Sequence, residues 1–261
     1  MSRDLWDPKQ YARYGDERSR PFFDLLGQVA AADPKHVTDL GCGSGALTAT
    51  LLERWPDAII EGVDGSPSMI EEARPHEVPG RLTFRVGDVR GWRAEVPQDV
   101  IVSNAVLHWV PDHVDRFPRL VDALTPGGWL AFQVPGNFEA PSHELIREQC
   151  ATPRWSELVG GLALERPVRD PAGYLDALAG LGCRVDAWET TYLHVLQGED
   201  PVVEWVKGTA LRPVLDRLTD PALREEFLTE YATRLREPYP PRPYGTVLPF
   251  RRIFVVARKR L

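Results

Sequence analysis

Between Val37 and Val134 the chain alternates short, nearly unbroken apolar runs with stretches whose apolar positions recur at helical spacing. The runs predict strands over residues 36–40, 58–63, 82–86, 99–103 and 129–134. Val, Ile and Leu dominate them with little polar alternation, the pattern of strands covered on both faces. The periodic stretches predict helices over 46–55, 68–73 and 113–124. Ser66 is placed to cap the second, with Pro67 at its first position, and Asp112 to cap the third. Strand–helix alternation of this kind predicts an α/β protein with a parallel, doubly wound sheet.

After Val134 the rhythm changes. Residues 142–150 and 172–181 read as helices, and 184–195 alternates as a strand. Helices over 202–217 and 221–236 follow, the second charged on several faces and so read as a solvent-exposed lid. A stiff Pro238-Tyr239-Pro240-Pro241-Arg242-Pro243 stretch leads to a last strand at 252–257. Two late strands separated by helices predict an antiparallel edge on the sheet. The whole reads as one domain over 1–261 carrying a helical cap.

Composition narrows the classes. The 261 residues, 43% hydrophobic and 26% charged, allow a sizeable core and exclude disorder as the main state. The 24 prolines, about 9% against a usual ~5%, have no period and read as turn and helix-start punctuation. A net charge of −7 argues against a duplex nucleic-acid or membrane surface, both of which need clustered Lys and Arg. Cys42, Cys150 and Cys183 are widely spaced and form no CxxC, which predicts a reducing compartment and no metal framework. With no signal-type or membrane-spanning run, the expectation is a cytoplasmic protein, a monomer or weak homodimer, acting on a small molecule.

The most informative stretch is Asp39-Leu40-Gly41-Cys42-Gly43-Ser44-Gly45-Ala46, between the first strand and a helix. Close glycines let a ligand approach the backbone without a Cβ in the way, and the helix start favours negative charge. Gly41, Gly43 and Ala46 also satisfy G-x-G-x-x-G/A, so the loop alone does not separate a nicotinamide from another adenosyl cofactor. Asp64, at the end of the second strand, is placed to hold a ribose diol. Asp88, followed by Val89, ends the third strand and is placed to accept from an adenine amino group. These positions fall at successive strand ends on one edge of the sheet.

Asp39 two places before the first glycine, the G-x-G-x-G loop and the Leu124-Thr125-Pro126-Gly127-Gly128 turn together resemble the class I S-adenosylmethionine-dependent methyltransferases over roughly residues 33–134, and Ser103-Asn104-Ala105 belongs with the narrower likeness that follows. The resemblance extends to the trans-aconitate methyltransferase family. It is carried by Trp6-Asp7-Pro8 with Tyr11, Glu17-Arg18-Ser19-Arg20-Pro21, Trp109-Val110-Pro111 and Gln133-Val134-Pro135-Gly136-Asn137. Thr190-Thr191-Tyr192, Glu204-Trp205-Val206, Leu211-Arg212-Pro213 and the run from Phe250 to Ala257 carry it to the end of the chain. The resemblance implies a seven-stranded Rossmann-like sheet with one antiparallel edge strand and S-adenosyl-L-methionine as cofactor. It implies methylation of a carboxylate of trans-aconitate, a tricarboxylate, to its monomethyl ester. It further implies an N-terminal cap segment at 1–32, a cofactor-binding core at 33–134, and acceptor-side helical insertions at 135–182 and 196–250.

A carboxylate acceptor is already ionised at neutral pH, so in-line attack on a sulfonium methyl needs no general base. The protein must supply position and counter-charge, for which arginine is suited. Arg212, Arg251, Arg252 and Lys207 are the basic groups near the expected acceptor side. Arg251 and Arg252 must face opposite ways on a strand, and Arg252, flanked on its face by Phe254 and Val256, is preferred for the pocket. The other reading for each is an arginine covering the sheet edge. Cofactor contacts are expected from Asp39, Gly41, Gly43, Gly45, Asp64, Asp88, Val89, Asn104, Ala105 and Arg18. Acceptor contacts are expected from Tyr11, His108, Trp109, Trp205, Arg212 and Arg252. No metal is expected, and His108 would serve as a base only for a hydroxyl or amine acceptor. The rival readings are another acceptor on the same fold, a non-catalytic cofactor-binding regulator, and a nicotinamide oxidoreductase.

Overall fold

The computed structural model describes residues 15–162 and 168–261, with side chains from Ser19 onward. Eight strands are present among the described residues: β1 (His36–Leu40), β2 (Ile59–Asp64), β3 (Leu82–Val86), β4 (Gln98–Asn104), β5 (Leu124–Pro135), β6 (Cys183–Leu196), β7 (Pro241–Arg242) and β8 (Gly245–Lys259). They run in the order β3-β2-β1-β4-β5-β8-β6, with the short β7 paired to β8. β1 pairs in parallel with β2 and β4, β2 with β3, and β4 with β5. β8 pairs antiparallel with β5, and β6 lies outside it. The mostly parallel sheet with an antiparallel strand toward one edge is therefore present, that strand being β8.

By its internal packing the described chain forms two compact units. The sheet unit holds residues up to 135, then 168–190 and 252–261. Its strands are apolar on both faces because helices cover both: Val37, Leu40, Ile60, Val63, Ile101, Leu130 and Phe132 are all buried. One layer is an aromatic cluster in which Phe132 lies 5.3 Å from Phe117 and 5.2 Å from Tyr174. Helix Pro171–Ala179 brings Tyr174 to this layer, and the Tyr174 hydroxyl shares a 2.7 Å hydrogen bond with His113 Nε2. That helix belongs to the sheet unit, whereas the sequence grouped it with an insertion over 135–182. A helix the sequence reading omitted, Gly15–Leu26, packs on β5 through a period-3/4 row that includes Phe22, Leu25 and Leu26.

The helical unit holds residues 136–162 and 191–251. Its core is built by helix Pro221–Leu235 packing on helices Pro141–Ala151 and Pro201–Lys207. Phe227, Tyr231, Ala232 and Leu235 are buried, Phe227 lies 5.0 Å from Trp155, and the Tyr231 hydroxyl donates to the Ser142 carbonyl at 2.5 Å. The expectation of a solvent-exposed lid over 221–236 is therefore corrected. The exposed charges that prompted it flank a narrow apolar stripe.

Proline explains several element boundaries. Among the described residues, eight α-helices carry Pro in their first two positions, where the missing N–H costs no hydrogen bond. Pro118 cannot donate to Val114, so the predicted helix 113–124 is a 3-10 turn, His113–Arg116, followed by helix Phe117–Asp122. Asp112 adopts φ 52° there and makes no side-chain cap. Pro213 likewise splits 202–217 into Pro201–Lys207 and Arg212–Arg217. Ser66 caps its helix as expected, accepting from Met69 N–H. Among the described residues no helix is long and apolar enough to cross a membrane.

Candidate active site

The loop after β1 closes on its own neighbours. Gly41 N–H and Cys42 N–H both donate to the Val63 carbonyl, at 2.6 and 3.1 Å. Gly41, Gly43 and Gly45 all have positive φ, at 84°, 54° and 76°. Their reasons differ. A Cβ at Gly41 would sit 2.0 Å from Val106 Cγ2, and one at Gly45 would meet Phe84 and Ala73 under 3 Å away. A Cβ at Gly43 would meet nothing within 4 Å. The first and last glycines therefore make room for the protein's own side chains, and Gly43 is the one with open space for a ligand. The helix that follows, Ala46–Arg54, starts from Gly45, which has no side chain to cap it, and helix starts of this kind favour negative charge.

Two acids hold this loop. Asp39 is buried and accepts from the Thr48 hydroxyl at 2.6 Å, tying β1 to the helix. Burial pushes its carboxyl up to about 7, against the lowering effect of the Thr48 bond. Asp64, half-buried at the end of β2, accepts Gly43 N–H through Oδ2 and Ser66 N–H through Oδ1, both at 2.9 Å. One carboxylate thus fixes the open glycine and the start of the next helix. Cys42, inside the loop, is buried, and burial drives its thiol well above the usual range.

Asp88 lies at the same edge, exposed, with its carboxylate turned to Arg90. Oδ1 accepts Arg90 N–H at 2.8 Å, and Oδ2 accepts from Nη2 at 2.5 Å. The Arg90 hydrogen bond holds the Asp88 carboxyl below its usual range. Val89 is half-buried against the apolar core of the sheet unit.

β4 ends at Asn104, and Ala105 follows in the left-handed region at φ 57°, a strained conformation for a residue with a Cβ. It is held there by its N–H, which donates to the Gln133 carbonyl at 2.9 Å. His108 is buried in the next 3-10 turn with its ring 4.8 Å from that of the half-buried Trp109. On the neighbouring strands, Arg252 is buried (4% exposed) and donates through Nη1 to Gln133 Oε1 at 2.8 Å. Gln133 is completely buried, and its Nε2 has no hydrogen-bond partner among the described residues. Such a donor costs about 1–3 kcal/mol unless something accepts from it. The sequence reading passed over Gln133 as a site residue. The signal was its being the sole polar residue in the apolar run 129–134.

The sheet unit thus gathers Asp39, Gly41, Gly43, Gly45, Asp64, Asp88, Val89, Asn104, Ala105, His108, Trp109 and Arg252 around the carboxyl ends of β1 to β5. Trp205 and Arg212 lie in the helical unit. Trp205 is buried, its ring 4.8 Å from His194 and 5.6 Å from Phe250, which is core packing. Arg212 is half-buried at the start of helix Arg212–Arg217. Also in that unit, Arg251 donates to the Gly136 carbonyl at 3.3 Å, its own N–H donates to Asn137 Oδ1 at 2.7 Å, and Lys207 pairs with Glu204. Arg20 pairs with Asp24 at 3.6 Å on the surface. Tyr11 and the Arg18 side chain fall outside the described residues. No group of three or more potential metal-ligating side chains is gathered among the described residues.

The chain was compared with known proteins. A family model described as a methyltransferase domain matches residues 37–128. Trans-aconitate 2-methyltransferase of Streptomyces avermitilis is 54% identical over 97% of both chains. The enzymes of the same name from Mycolicibacterium gilvum and Mycobacterium tuberculosis are 50% and 44% identical, each over 97% of this chain and 99% and 96% of their own. The chain belongs to the trans-aconitate 2-methyltransferase family. Membership in that family spans the helical unit as well as the methyltransferase domain, because the relatives align over nearly the full length. Solved structures agree on the fold. Haemonchus contortus phosphoethanolamine N-methyltransferase 2, in complex with S-adenosyl-L-methionine, superposes with a TM-score of 0.54 at 15% identity, over 93% of this chain and 53% of that one. A Mesorhizobium loti S-adenosylmethionine-dependent methyltransferase gives 0.53 at 20%, over 91% and 97%.

Proposed function

We propose that this protein transfers a methyl group from S-adenosyl-L-methionine to a carboxylate of trans-aconitate, giving the monomethyl ester and S-adenosylhomocysteine. The observation that carries the reading is the join of a built cofactor cradle with a buried Arg252–Gln133 pair two strands away, in a chain whose full-length relatives bear that name. The cradle fits the cofactor: Gly43 leaves open space, Asp64 pins that glycine from the end of β2, where a carboxylate is placed to meet a ribose diol, and the helix start lies beside it. When bound, S-adenosyl-L-methionine supplies an electrophilic sulfonium methyl.

The protein's own groups do the rest. Asn104 and the strained Ala105 sit at the strand end between the cradle and Gln133, where the acceptor must be aligned. Arg252 supplies positive charge in a water-poor setting, where its attraction for a carboxylate is strongest. No side chain has to remove a proton, because the attacking carboxylate is ionised well below neutral pH. His108 serves as a pocket wall. The protein works as a cytoplasmic enzyme on a small tricarboxylate.

Mass spectrometry of protein, S-adenosyl-L-methionine and trans-aconitate tests this. One added methyl that mild base removes is the expected product, with His108→Asn retaining turnover within ten-fold. Absence of a methylated acid, with S-adenosylhomocysteine still binding, overturns trans-aconitate as acceptor. Loss of turnover in His108→Asn with cofactor binding intact favours a hydroxyl acceptor instead.

A further inference from the structure

We infer that Gln133 contacts the acceptor directly: its Nε2–H donates to a carboxylate oxygen of trans-aconitate, and Arg252 sets the amide to face that way. The inference rests on the function proposed above and adds a specificity-determining residue to it. The orientation of the amide is settled by chemistry. Guanidinium only donates, so the Gln133 atom 2.8 Å from Arg252 Nη1 is the oxygen, and the nitrogen is the atom left without a partner. Gln133 is 0% exposed, so bulk water does not serve that nitrogen.

A second amide sharpens the point. Asn104 pairs with Gln133 across the parallel strands β4 and β5, which places the two side chains on one face of the sheet. Asn104 Oδ1 is an acceptor without a partner, and Gln133 Nε2 is a donor without one. Neither serves the other, although each would satisfy the other's need. Adjacent donor and acceptor groups held apart in a buried place are the mark of a site shaped for a ligand. The strand order places that ligand. Cradle residues lie on β2 and β1, and Asn104 and Gln133 lie on the next two strands, so Gln133 is on the far side of Asn104 from the glycine loop. Under the function proposed above that is the side left for the acceptor, and a carboxylate is an oxygen acceptor matched to an N–H beside a guanidinium.

Gln133→Glu is the decisive variant, because it keeps the shape and the oxygen for Arg252 while replacing the donor with a like-charged oxygen. The expected result is a rise of at least ten-fold in the KM for trans-aconitate, with S-adenosylhomocysteine affinity by calorimetry within three-fold of the unaltered protein. Gln133→Leu, which removes the donor without adding charge, is expected to raise the same KM with a smaller loss. An unchanged acceptor KM in Gln133→Glu, as an interior water on Nε2 would give, overturns the inference. So does an equal loss of cofactor affinity. If the unaltered enzyme forms no ester at all, the functional reading fails first and takes this inference with it.

Discussion

The Thr48 hydroxyl donates a 2.6 Å hydrogen bond to Asp39 Oδ2, and through it the end of β1 grips the helix behind the glycine loop. The carboxyl is buried, and burial raises its pKa from 3.8 to about 7. The folded state therefore holds the Asp39 proton more tightly than the unfolded chain does. Between pH 4 and 7 the unfolded chain carries fewer protons at this group, so its contribution to stability falls as pH rises through that window and is flat above it. At 1.36 kcal/mol per pKa unit the full span is about 4 kcal/mol. Asp39→Asn, which keeps the oxygen for Thr48, should flatten that part of the curve. Urea unfolding at pH 5 and pH 8 checks this: the difference between the two pH values should shrink in the variant, and an unchanged difference would sink the assignment. Thr48→Val should lower stability at pH 8 by about 1–3 kcal/mol by leaving the acid without its donor.

The unequal glycines give a separable pair of variants. Gly41→Ala drives a methyl into Val106 and should destabilise the fold by several kcal/mol, reported by its melting temperature. Gly43→Ala meets no atom and has only its φ of 54° against it, so it should cost about 1 kcal/mol of stability. It should nevertheless weaken S-adenosylhomocysteine binding at least ten-fold, because its methyl enters the open space. Equal effects in both variants would mean that Gly43 does not face the ligand.

Much of this was legible in the sequence because the sheet unit follows rules of short range. Buried apolar runs, period-3.6 patterns, Ser66 before Pro67, and the glycine loop placed five strands and the turn between the first strand and its helix. The antiparallel turn of the late strands was readable from their separation by helices. What escaped were consequences of tertiary burial. Charges at Arg224, Glu225 and Glu226 hid the stripe of Phe227, Tyr231 and Leu235. The glycine pattern could not say that two of three glycines face the protein's own side chains. Gln133 looked like one residue of an apolar strand, since only its partners, Arg252 and Asn104, far away in sequence, give it meaning.

Asp88 and Arg90 form an exposed pair that competes with the role proposed for Asp88 at an adenine amino group. Exposed pairs contribute roughly 0–1 kcal/mol, so Arg90→Gln should leave unfolding free energy within that range. Freed from its arginine, Asp88 should bind the cofactor side better, and S-adenosylhomocysteine affinity in Arg90→Gln should rise two- to five-fold. Asp88→Ala should lower it about ten-fold. Calorimetry on both variants decides the matter: no change in either would remove Asp88 from the cofactor site.

Helix Pro221–Leu235 gives the clearest contrast between a lid and a core. Phe227 is fully buried 5.0 Å from Trp155, and its carbonyl accepts from Gln149 Nε2 at 2.9 Å. Phe227→Ala leaves a large void among side chains that collapse only in part, so it should cost about 3–5 kcal/mol. Glu225→Ala, two residues earlier on the exposed face, should fall within about 0.5 kcal/mol of the unaltered protein. A mobile lid would tolerate both changes alike. Denaturant unfolding followed by tryptophan fluorescence reports the difference directly, because Trp155 is the ring against which Phe227 packs, and a Phe227→Ala midpoint equal to that of Glu225→Ala would return the helix to the solvent.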